Sequence, residues 1–168
     1  ILTVFNAPDV IKSPMRYWLM KSEPEAYGID DLARDKVTAW WGVRNYQARN
    51  FMRDQMQLGD RGFFYHSNCA EPGIVGIVEV CKPAYPDATQ FDKKHKYFDP
   101  KSSPDNPRWL NVDVKLVKKT KPVSLAELRS HRELANMRTL AKGNRLSITP
   151  VDPAEWTFIT EQLMGMKK

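Results

Sequence analysis

The sequence predicts a single α+β domain built around a curled, largely antiparallel β-sheet. Its 168 residues suit one compact domain. The predicted strands are separated by helices and long loops, and no βαβ unit repeats along the chain, which favours α+β over a parallel α/β fold. With 42% hydrophobic and 11% aromatic residues, the chain is too apolar to be disordered.

The first half of the chain contains two apolar runs and two segments with helical features. Residues 17–20 predict a strand that is buried on both faces, and Pro24 prevents its regular continuation. A helix is expected to begin at Gly28, because two carboxylates in its first turn suit the positive end of a helix dipole. Residues 37–41 form a second apolar stretch. Residues 43–56 predict a helix with one apolar stripe, made of Ala48, Phe51, Met52 and Met56.

The middle of the chain predicts two further strands and a long loop. Residues 61–65 are strand-like, and residues 74–80 form a β-branched run in which Gly76 predicts a bulge. Residues 83–107 contain five prolines and read as one loop. Loops of this length in a compact domain are usually functional or mobile. We expect the part from residue 87 onward to border the binding surface, because it is long, carries lysines and joins two central strands.

The second half contains the clearest strand and two helix starts. Residues 109–117 alternate strictly between apolar and polar side chains, as in a strand with one buried face. Ser124 begins one capping box, and Asp152 begins another that has proline at the first helical position. Between these two helices, residues 145–148 predict a short strand.

Charge and cysteine content restrict the function classes. The 26 Lys and Arg residues exceed the 20 Asp and Glu residues, and the resulting net charge of +6 is compatible with a polyanionic partner. Cys69 and Cys81 are too few for a disulfide scaffold and are expected to be free thiols in a reducing cytoplasm. Neither a metal site nor a cofactor is expected. No apolar run approaches the roughly 20 residues that span a bilayer, so no membrane partner is expected.

Catalytic motifs are not evident. The sequence contains no phosphate-binding P-loop, no dinucleotide-binding glycine pattern, no nucleophile elbow and no His-Glu-x-x-His pair. We expect His95, in a lysine-rich stretch, to be solvated and His131 to be exposed. His66 follows an apolar strand, so either local backbone groups satisfy its ring nitrogens or it lies on the rim of a pocket.

The five tryptophans are stronger evidence for a site. Trp18 and Trp41 stand next to breaks in regular structure, and polar or charged residues follow each of them. Aromatic walls combined with amide, hydroxyl and guanidinium groups can hold a planar heterocycle by stacking and by hydrogen bonds to its edge. Tryptophans can also simply fill the core. The basic stretches 93–96 and 115–121 either are solvated faces or follow a phosphate backbone.

Five sequence blocks, in order, resemble the EVE domain family. They are YWLMKSEP at 17–24, WGVRNYQARN at 41–50, FYHSN at 64–68, PRW at 107–109 followed by VDV at 112–114, and RLSITPV at 145–151. The similarity covers about residues 16–163. One departure from the family pattern is Gly28, where serine is the more usual helix cap.

The resemblance implies a PUA-like fold, which is a curled mixed β-sheet or pseudo-barrel with flanking helices. It further implies a non-catalytic protein whose aromatic-lined pocket binds a flipped, modified base, with modified cytosine in DNA favoured and RNA possible. The matching positions give the expected ligand-binding residues: Trp18, Lys21, Ser22, Glu23, Trp41, Gly42, Arg44, Asn45, His66, Ser67, Asn68, Trp109 and Ser147. Four basic residues are expected to contact the nucleic-acid backbone: Arg49, Lys93, Lys94 and Lys101.

Two alternative functions remain open at this point. The first is a hydrolase acting on a modified nucleoside, for which Lys21 with Glu23, or His66 with Ser67, are the candidate pairs; neither pair has an orienting third group. The second is an interaction module with a vestigial pocket.

The expected organisation is simple. We interpret residues 1–15 as an N-terminal extension and residues 16–168 as one domain. The protein is expected to be a monomer and cytoplasmic, with association with the nucleoid, or a nuclear location in a eukaryote, as further options.

Overall fold

The computed structural model describes residues 14–167, and these residues form a six-stranded mixed sheet with four α-helices. The strands are β1 (Tyr17–Ser22), β2 (Val37–Ala39), β3 (Arg61–His66), β4 (Gly73–Pro86), β5 (Leu110–Ser124) and β6 (Ile148–Val151). The helices are α1 (Ile29–Asp35), α2 (Tyr46–Asn50), α3 (Leu125–Arg129) and α4 (Pro153–Thr157). Helix α2 continues as a π-helical turn over Phe51–Gln55, and α4 continues in the same way over Phe158–Leu163. The predicted α+β class is confirmed.

The order of the strands places two strand ends side by side. The sheet runs β2-β5-β4-β3-β1-β6, and every neighbouring pair is antiparallel except β1 and β3, which are parallel. In that parallel pair Ser22 lies beside His66. The carboxyl ends of β1 and β3 therefore meet at one edge of the sheet, and the chain leaves both strands there.

Each face of the sheet carries its own hydrophobic core. Successive side chains of a strand point to opposite faces, so Trp18 and Met20 of β1 join one core and Leu19 joins the other. Helices α1 and α2 cover the first core, whereas α3 and α4 cover the second. Because both faces are covered, residues 17–20 read as a continuous apolar run.

Strands β4 and β5 are longer than the sequence predicted, and the long loop is correspondingly shorter. β4 continues through Pro83 to Pro86, and β5 continues to Ser124. The pairing of the two strands shifts register at several points, including between Lys82 and Tyr85, so prolines are tolerated where the ladder is already irregular. The bulge predicted at Gly76 is confirmed, because register shifts occur beside it on both neighbouring strands. The repeated shifts also curl the sheet.

Two element boundaries also differ from prediction. The helix expected over residues 43–56 begins only at Tyr46, because the Asn45 side chain caps it by accepting a hydrogen bond from the backbone N–H of Ala48. The strand expected at residues 145–148 is β6, which begins at Ile148; β6 is an edge strand and therefore tolerates Pro150. Residues 1–13 of the expected N-terminal extension lie outside the described residues.

Candidate functional site

A cavity of about 500 Å³ lies at the sheet edge where β1 and β3 end. Five parts of the chain contribute to it: the end of β1 with the segment after it, β2 with its connection to α2, the residue after β3, the loop between β4 and β5, and the residues before β6. Its lining residues are Lys21, Ser22, Glu23, Ala26, Tyr27, Thr38, Ala39, Trp40, Trp41, Gly42, Val43, Arg44, Ser67, Lys96, Tyr97, Arg145 and Ser147.

Backbone hydrogen bonds hold three serine-containing segments together at the cavity. The Ser67 N–H donates to the Ser22 carbonyl at 3.0 Å, and the Lys21 N–H donates to the Ser147 carbonyl at 2.8 Å. The Ser22 hydroxyl donates to the carbonyl of Tyr27. The two backbone contacts continue the pairing of β1 beyond the end of β3 and before the start of β6. Polar groups of three segments that are distant in sequence therefore share one site.

Trp41 and Tyr97 provide an aromatic side of the cavity. Their ring centroids are 5.8 Å apart with an interplanar angle of 66°, and Trp41 makes a second edge contact, at 5.4 Å, with His95. Although these contacts hold the indole, Trp41 remains 46% exposed. A large aromatic surface is therefore available to a ligand. The structure also brings Trp41 and Ser67 to one cavity, as the sequence analysis expects.

A buried ion pair joins the two loops that carry these rings. The Arg44 guanidinium donates to Asp87 at 3.0 Å and to the Tyr97 carbonyl at 2.8 Å, and the Asp87 side chain is fully buried. Asp87 also accepts hydrogen bonds from the Gly42 N–H at 2.8 Å and from both the N–H and the hydroxyl of Thr89. Burial raises the pKa of Asp87, but these hydrogen bonds outweigh it and leave the pKa below its ordinary value. Arg44, which was predicted to bind the ligand, thus acts as a brace: its guanidinium connects the Trp41 segment to the loop that carries Asp87 and Tyr97.

Gly42 is required where the two loops meet. Its φ angle is +88°, and a Cβ atom on it would lie 2.8 Å from a ring carbon of Tyr97. Any other residue would combine backbone strain with a steric clash. Gly42 therefore allows the Trp41 segment to approach the Tyr97 loop closely.

We expect Gly42→Ala to destabilise the protein by about 1–3 kcal/mol more than Gly59→Ala does, because only the first variant forces Tyr97 to move. Gly59 is a matched control, since its φ angle is +91° and nothing lies within 4 Å of the added Cβ. Urea unfolding of both variants measures the two free energies. Equal losses would show that Tyr97 does not pack against position 42.

The charge of the cavity lining is predominantly positive. Among the described residues its cationic side chains are Lys21, Arg44, Lys96 and Arg145, and its one carboxylate is Glu23. Burial lowers the pKa of the Lys21 ammonium below its ordinary value. The Lys96 ammonium lies 4.9 Å from the centre of the Tyr97 ring. An anionic ligand group is therefore favoured at this site.

Five of the residues that the sequence assigned to the ligand do not line the cavity. Trp18 is only 1% exposed and packs in the core, where its indole N–H donates to Asp60 at 3.0 Å. It stands in the first half of β1, away from the end that reaches the cavity. Trp109 is also buried, and its indole N–H donates to Asp99 at 2.8 Å. The expectation that Trp18 lines the pocket is therefore wrong.

Of the other three residues, Asn45 and His66 accept hydrogen bonds from backbone N–H groups, and Asn68 contacts a side chain of the cavity lining. Asn45 caps α2, as described above. Asn68 adopts a φ angle of +51°, and its amide donates to Glu23 at 3.4 Å. His66 accepts a hydrogen bond on Nε2 from the Ile29 N–H at 3.1 Å, so it satisfies the first turn of α1. A backbone group therefore satisfies His66, as in one of its two interpretations, but that group lies 37 positions away and is not the local one that the sequence predicted.

The His66 contact predicts a loss of stability in mild acid. Burial lowers the pKa of His66 below 6.5, although Asp30 acts in the opposite direction. An imidazolium cannot accept the Ile29 N–H, and the unfolded chain takes up the proton first as the pH falls. The contribution is complete above pH 6.5 and is lost as the pH falls through the folded-state pKa. Between pH 7.5 and pH 5.5, urea unfolding should show a larger loss for the wild type than for His66→Gln, which keeps an acceptor without titrating. Equal losses would contradict this role.

The basic residues assigned to a nucleic-acid backbone lie outside the cavity. Lys93, Lys94 and Lys101 are exposed on the loop between β4 and β5. Arg49 is partly buried and donates to the carbonyl of Arg108 at 3.0 Å. That loop nevertheless borders the cavity, as expected, because Lys96 and Tyr97 line it.

Two residues of the loop that line the cavity were not predicted from the sequence. Tyr97 and Lys96 line the cavity although neither was assigned to the site. A signal was present, because Tyr97 is an aromatic residue in a polar loop that no core pattern explains. The prediction that His95 is solvated is wrong. Its ring is partly buried against Trp41 and Tyr97, and its Nδ1 accepts a hydrogen bond from the Tyr97 N–H. His131 is likewise partly buried, with its ring against Phe158.

Features of metal-binding and membrane-spanning proteins are absent from the described part of the chain. Across residues 14–167 no group of three or more His, Cys, Asp or Glu side chains is arranged to hold a metal ion. No helix in the same range has the length and apolar character needed to cross a membrane. Both cysteines have free thiols, as predicted.

Comparisons with known proteins agree on one family. A family model described as "EVE domain" matches residues 16–162. Human thymocyte nuclear protein 1 is 46% identical over 171 residues, which cover 90% of this chain and 75% of that protein. A crystal structure of the human THYN1 protein in complex with 5-methylcytosine containing DNA superimposes with a TM-score of 0.84 at 44% identity, covering 91% of this chain and 99% of that one. A crystal structure of a protein from Pseudomonas syringae gives a TM-score of 0.83 at 44% identity, covering 86% and 97% of the two chains.

Proposed function

Because the chain belongs to the EVE domain family, we propose that it is a non-catalytic reader that binds modified cytosine in DNA. The described cavity holds the modified base. A base inside a duplex cannot reach such a cavity, so the protein binds the base after it has rotated out of the stack. The structure of a relative in complex with 5-methylcytosine containing DNA supports this choice of ligand.

The observation that carries the proposal is the composition of the cavity. It combines Trp41 and Tyr97, which offer ring surfaces for stacking, with hydroxyl groups and a carboxylate in a volume of about 500 Å³. Stacking alone is indifferent to which base is bound, because every base has a π-face. Selectivity must therefore come from the polar groups at the edge of the base.

Those polar groups suit cytosine. A carboxylate accepts well from the N4 amino group of cytosine, and Glu23 is the carboxylate of the lining. The hydroxyls of Ser67 and Ser147 can serve as donors to the ring acceptors of the base. A methyl group on the ring adds apolar area, which is stabilised against the aromatic side chains.

The charge of the site suits the phosphates that flank the base. Cationic side chains predominate in the lining, and three further lysines are exposed on the loop that borders it: Lys93, Lys94 and Lys101. Contacts of this kind strengthen binding to any sequence and weaken as salt rises, because binding releases counterions. They position the nucleic acid, whereas the cavity selects the base.

Titration of matched oligonucleotides tests the proposal. Two DNA oligonucleotides that differ in one 5-methyl group are titrated with the protein at about 50 mM and about 200 mM salt. We expect the modified oligonucleotide to bind more tightly at both salt concentrations, while both affinities fall as salt rises. Equal Kd values for the two oligonucleotides under both conditions would contradict the proposal and favour a vestigial pocket. A matched RNA pair shows which nucleic acid is preferred.

The same site offers less support for the hydrolase alternative. The Nε2 of His66 is occupied by the Ile29 N–H, so His66 is not free to act as a base toward Ser67. Lys21 remains the candidate catalytic group, since burial lowers its pKa. Incubation with N4-acetylcytidine tests this alternative directly. Release of acetate that is lost in Lys21→Met would establish an enzyme instead of a reader.

The proposed ligand also bears on location. Relatives of this chain are named as nuclear proteins in several animals, including human and mouse. We propose that this protein works in the compartment that holds DNA, which is the nucleus in a eukaryotic cell and the nucleoid region in a bacterium.

A further inference from the structure

A second exposed aromatic side chain stands close to the cavity in sequence but does not line it. Within residues 14–167, Trp41 and Tyr46 are the most exposed aromatic residues, at 46% and 50%, and both belong to the connection from β2 into α2. The exposure of Trp41 is explained by its position in the cavity lining. Tyr46 has no part in the site described so far, although leaving half of a large ring in water is unfavourable.

The Tyr46 ring is held rigidly. It stacks on Trp109 with a centroid distance of 4.8 Å and an interplanar angle of 29°, and the Arg49 guanidinium lies 4.7 Å from its centre. Both neighbours are themselves fixed: Trp109 is buried and hydrogen-bonded to Asp99, and Arg49 donates to Arg108 and Asn50. A group that is already ordered costs little entropy when it binds a ligand.

This outer cluster, defined as Tyr46, Arg49 and Trp109, is continuous with the cavity. The Arg44 guanidinium lies 5.2 Å from the Tyr97 ring, which lines the cavity, and 5.5 Å from the Trp109 ring of the outer cluster. Aromatic and guanidinium groups therefore run without interruption from the cavity to the exposed Tyr46 ring.

The chemistry of the outer cluster matches a nucleotide. Aromatic rings and arginine planes are the surfaces on which unstacked bases are held. Three of the five N–H groups of Arg49 are used within the protein, so the remaining two can donate to a phosphate. A base rotated into the cavity leaves its covalently attached neighbour nearby and deprived of a stacking partner.

We propose that Tyr46, Trp109 and Arg49 form a second subsite, which stacks the base adjacent to the modified one and contacts the intervening phosphate. This inference rests on the proposed function, since it takes the cavity as the site of the modified base. Recognition at the second subsite is tolerant of sequence, because stacking does not read the edge of a base.

Ligands of different length test the second subsite. Kd values are measured for 5-methyl-dCMP and for a DNA oligonucleotide with one 5-methylcytosine in the middle, using wild type, Tyr46→Ala and Tyr46→Phe. Tyr46→Ala should weaken the oligonucleotide roughly 5- to 150-fold, the range for loss of one stacked base, and leave 5-methyl-dCMP within about twofold. Tyr46→Phe keeps the ring and should bind both ligands as the wild type does.

A control and a spectroscopic readout separate the outcomes. Leu58→Ala removes another exposed apolar side chain, before the opposite end of β3, and should change neither affinity. A 2-aminopurine next to the modified base is quenched by stacking in free DNA and loses one stacking partner when that base rotates out. Its fluorescence should therefore rise less on binding to the wild type, where Tyr46 stacks on it, than on binding to Tyr46→Ala. Unchanged oligonucleotide affinity in Tyr46→Ala, or an equal loss for both ligands, overturns the second subsite. Failure of the proposed function is distinct, because the wild type itself would then not distinguish methylated from unmodified DNA.

Discussion

Replacement of Asp87 by asparagine is expected to destabilise the protein by about 3–5 kcal/mol. The carboxylate is fully buried and accepts hydrogen bonds from Gly42, Arg44 and Thr89. An amide of the same shape removes the negative charge and aims N–H donors at groups that also donate. The Arg44 charge, which is 19% exposed, then loses its counterion in a largely dry environment.

A surface pair of the same residue types is the control. Arg53 and Asp54 are 48% and 53% exposed, so Asp54→Asn should cost less than about 1 kcal/mol. Urea unfolding measures both variants. If the two substitutions cost the same, the Arg44–Asp87 pair does not brace the cavity. The brace also predicts that Asp87→Asn loosens the Tyr97 loop, which faster amide hydrogen exchange across residues 88–99 would report.

Removal of the Trp41 ring is expected to weaken DNA binding strongly. Trp41→Ala should weaken the methylated oligonucleotide by about 1–3 kcal/mol, because the base loses its stacking surface. The fold should tolerate the change, since the indole is 46% exposed and lies outside both cores. The loss should be unequal for methylated and unmodified DNA, because only the methylated base is held firmly in the cavity.

Substitution of an exposed lysine outside the cavity should have a different effect on DNA binding. Lys101 is exposed outside the cavity, so Lys101→Gln should weaken methylated and unmodified DNA alike and reduce the dependence of Kd on salt. Fluorescence anisotropy titrations compare the two variants with the wild type. If Trp41→Ala lost the same affinity for methylated as for unmodified DNA, the modified base would not be stacked against Trp41.

Local sequence patterns predicted much of the fold. Buried strands such as residues 17–20 and the helix starts at Ser124 and Asp152 depend on neighbouring residues, and each produced an element close to its predicted place. The reciprocal capping box is present at Asp152, whereas Ser124 makes only its own hydrogen bond to the Glu127 N–H. The carboxyl ends of β4 and β6 were misplaced, because proline in a sequence indicates a break, although Pro83 and Pro86 lie in β4 and Pro150 lies in β6. Only the pairing partners of a strand show whether its ladder can accommodate a proline.

The site was harder to predict, for a different reason. Trp18 and Trp41 are each followed by polar or charged residues, but one fills a core and the other borders a cavity. That difference depends on which end of β1 reaches the sheet edge. The partners of Arg44 and His66 are equally distant in sequence: Asp87 lies 43 positions from Arg44, and Ile29 lies 37 positions from His66. Local patterns carry no information about such contacts, so side chains assigned to a ligand proved to serve the fold.

The position of the methyl group in solution distinguishes a modified base bound in the cavity from one that remains stacked in the DNA. An oligonucleotide with a ¹³C-labelled 5-methylcytosine is bound to the protein, and intermolecular NOEs from the labelled methyl group are recorded. The account predicts NOEs to ring protons of Trp41 or Tyr97, and their loss in Trp41→Ala. A saturated complex in which the methyl group shows NOEs only to neighbouring bases of the DNA would contradict it, because the modified base would then remain in the stack.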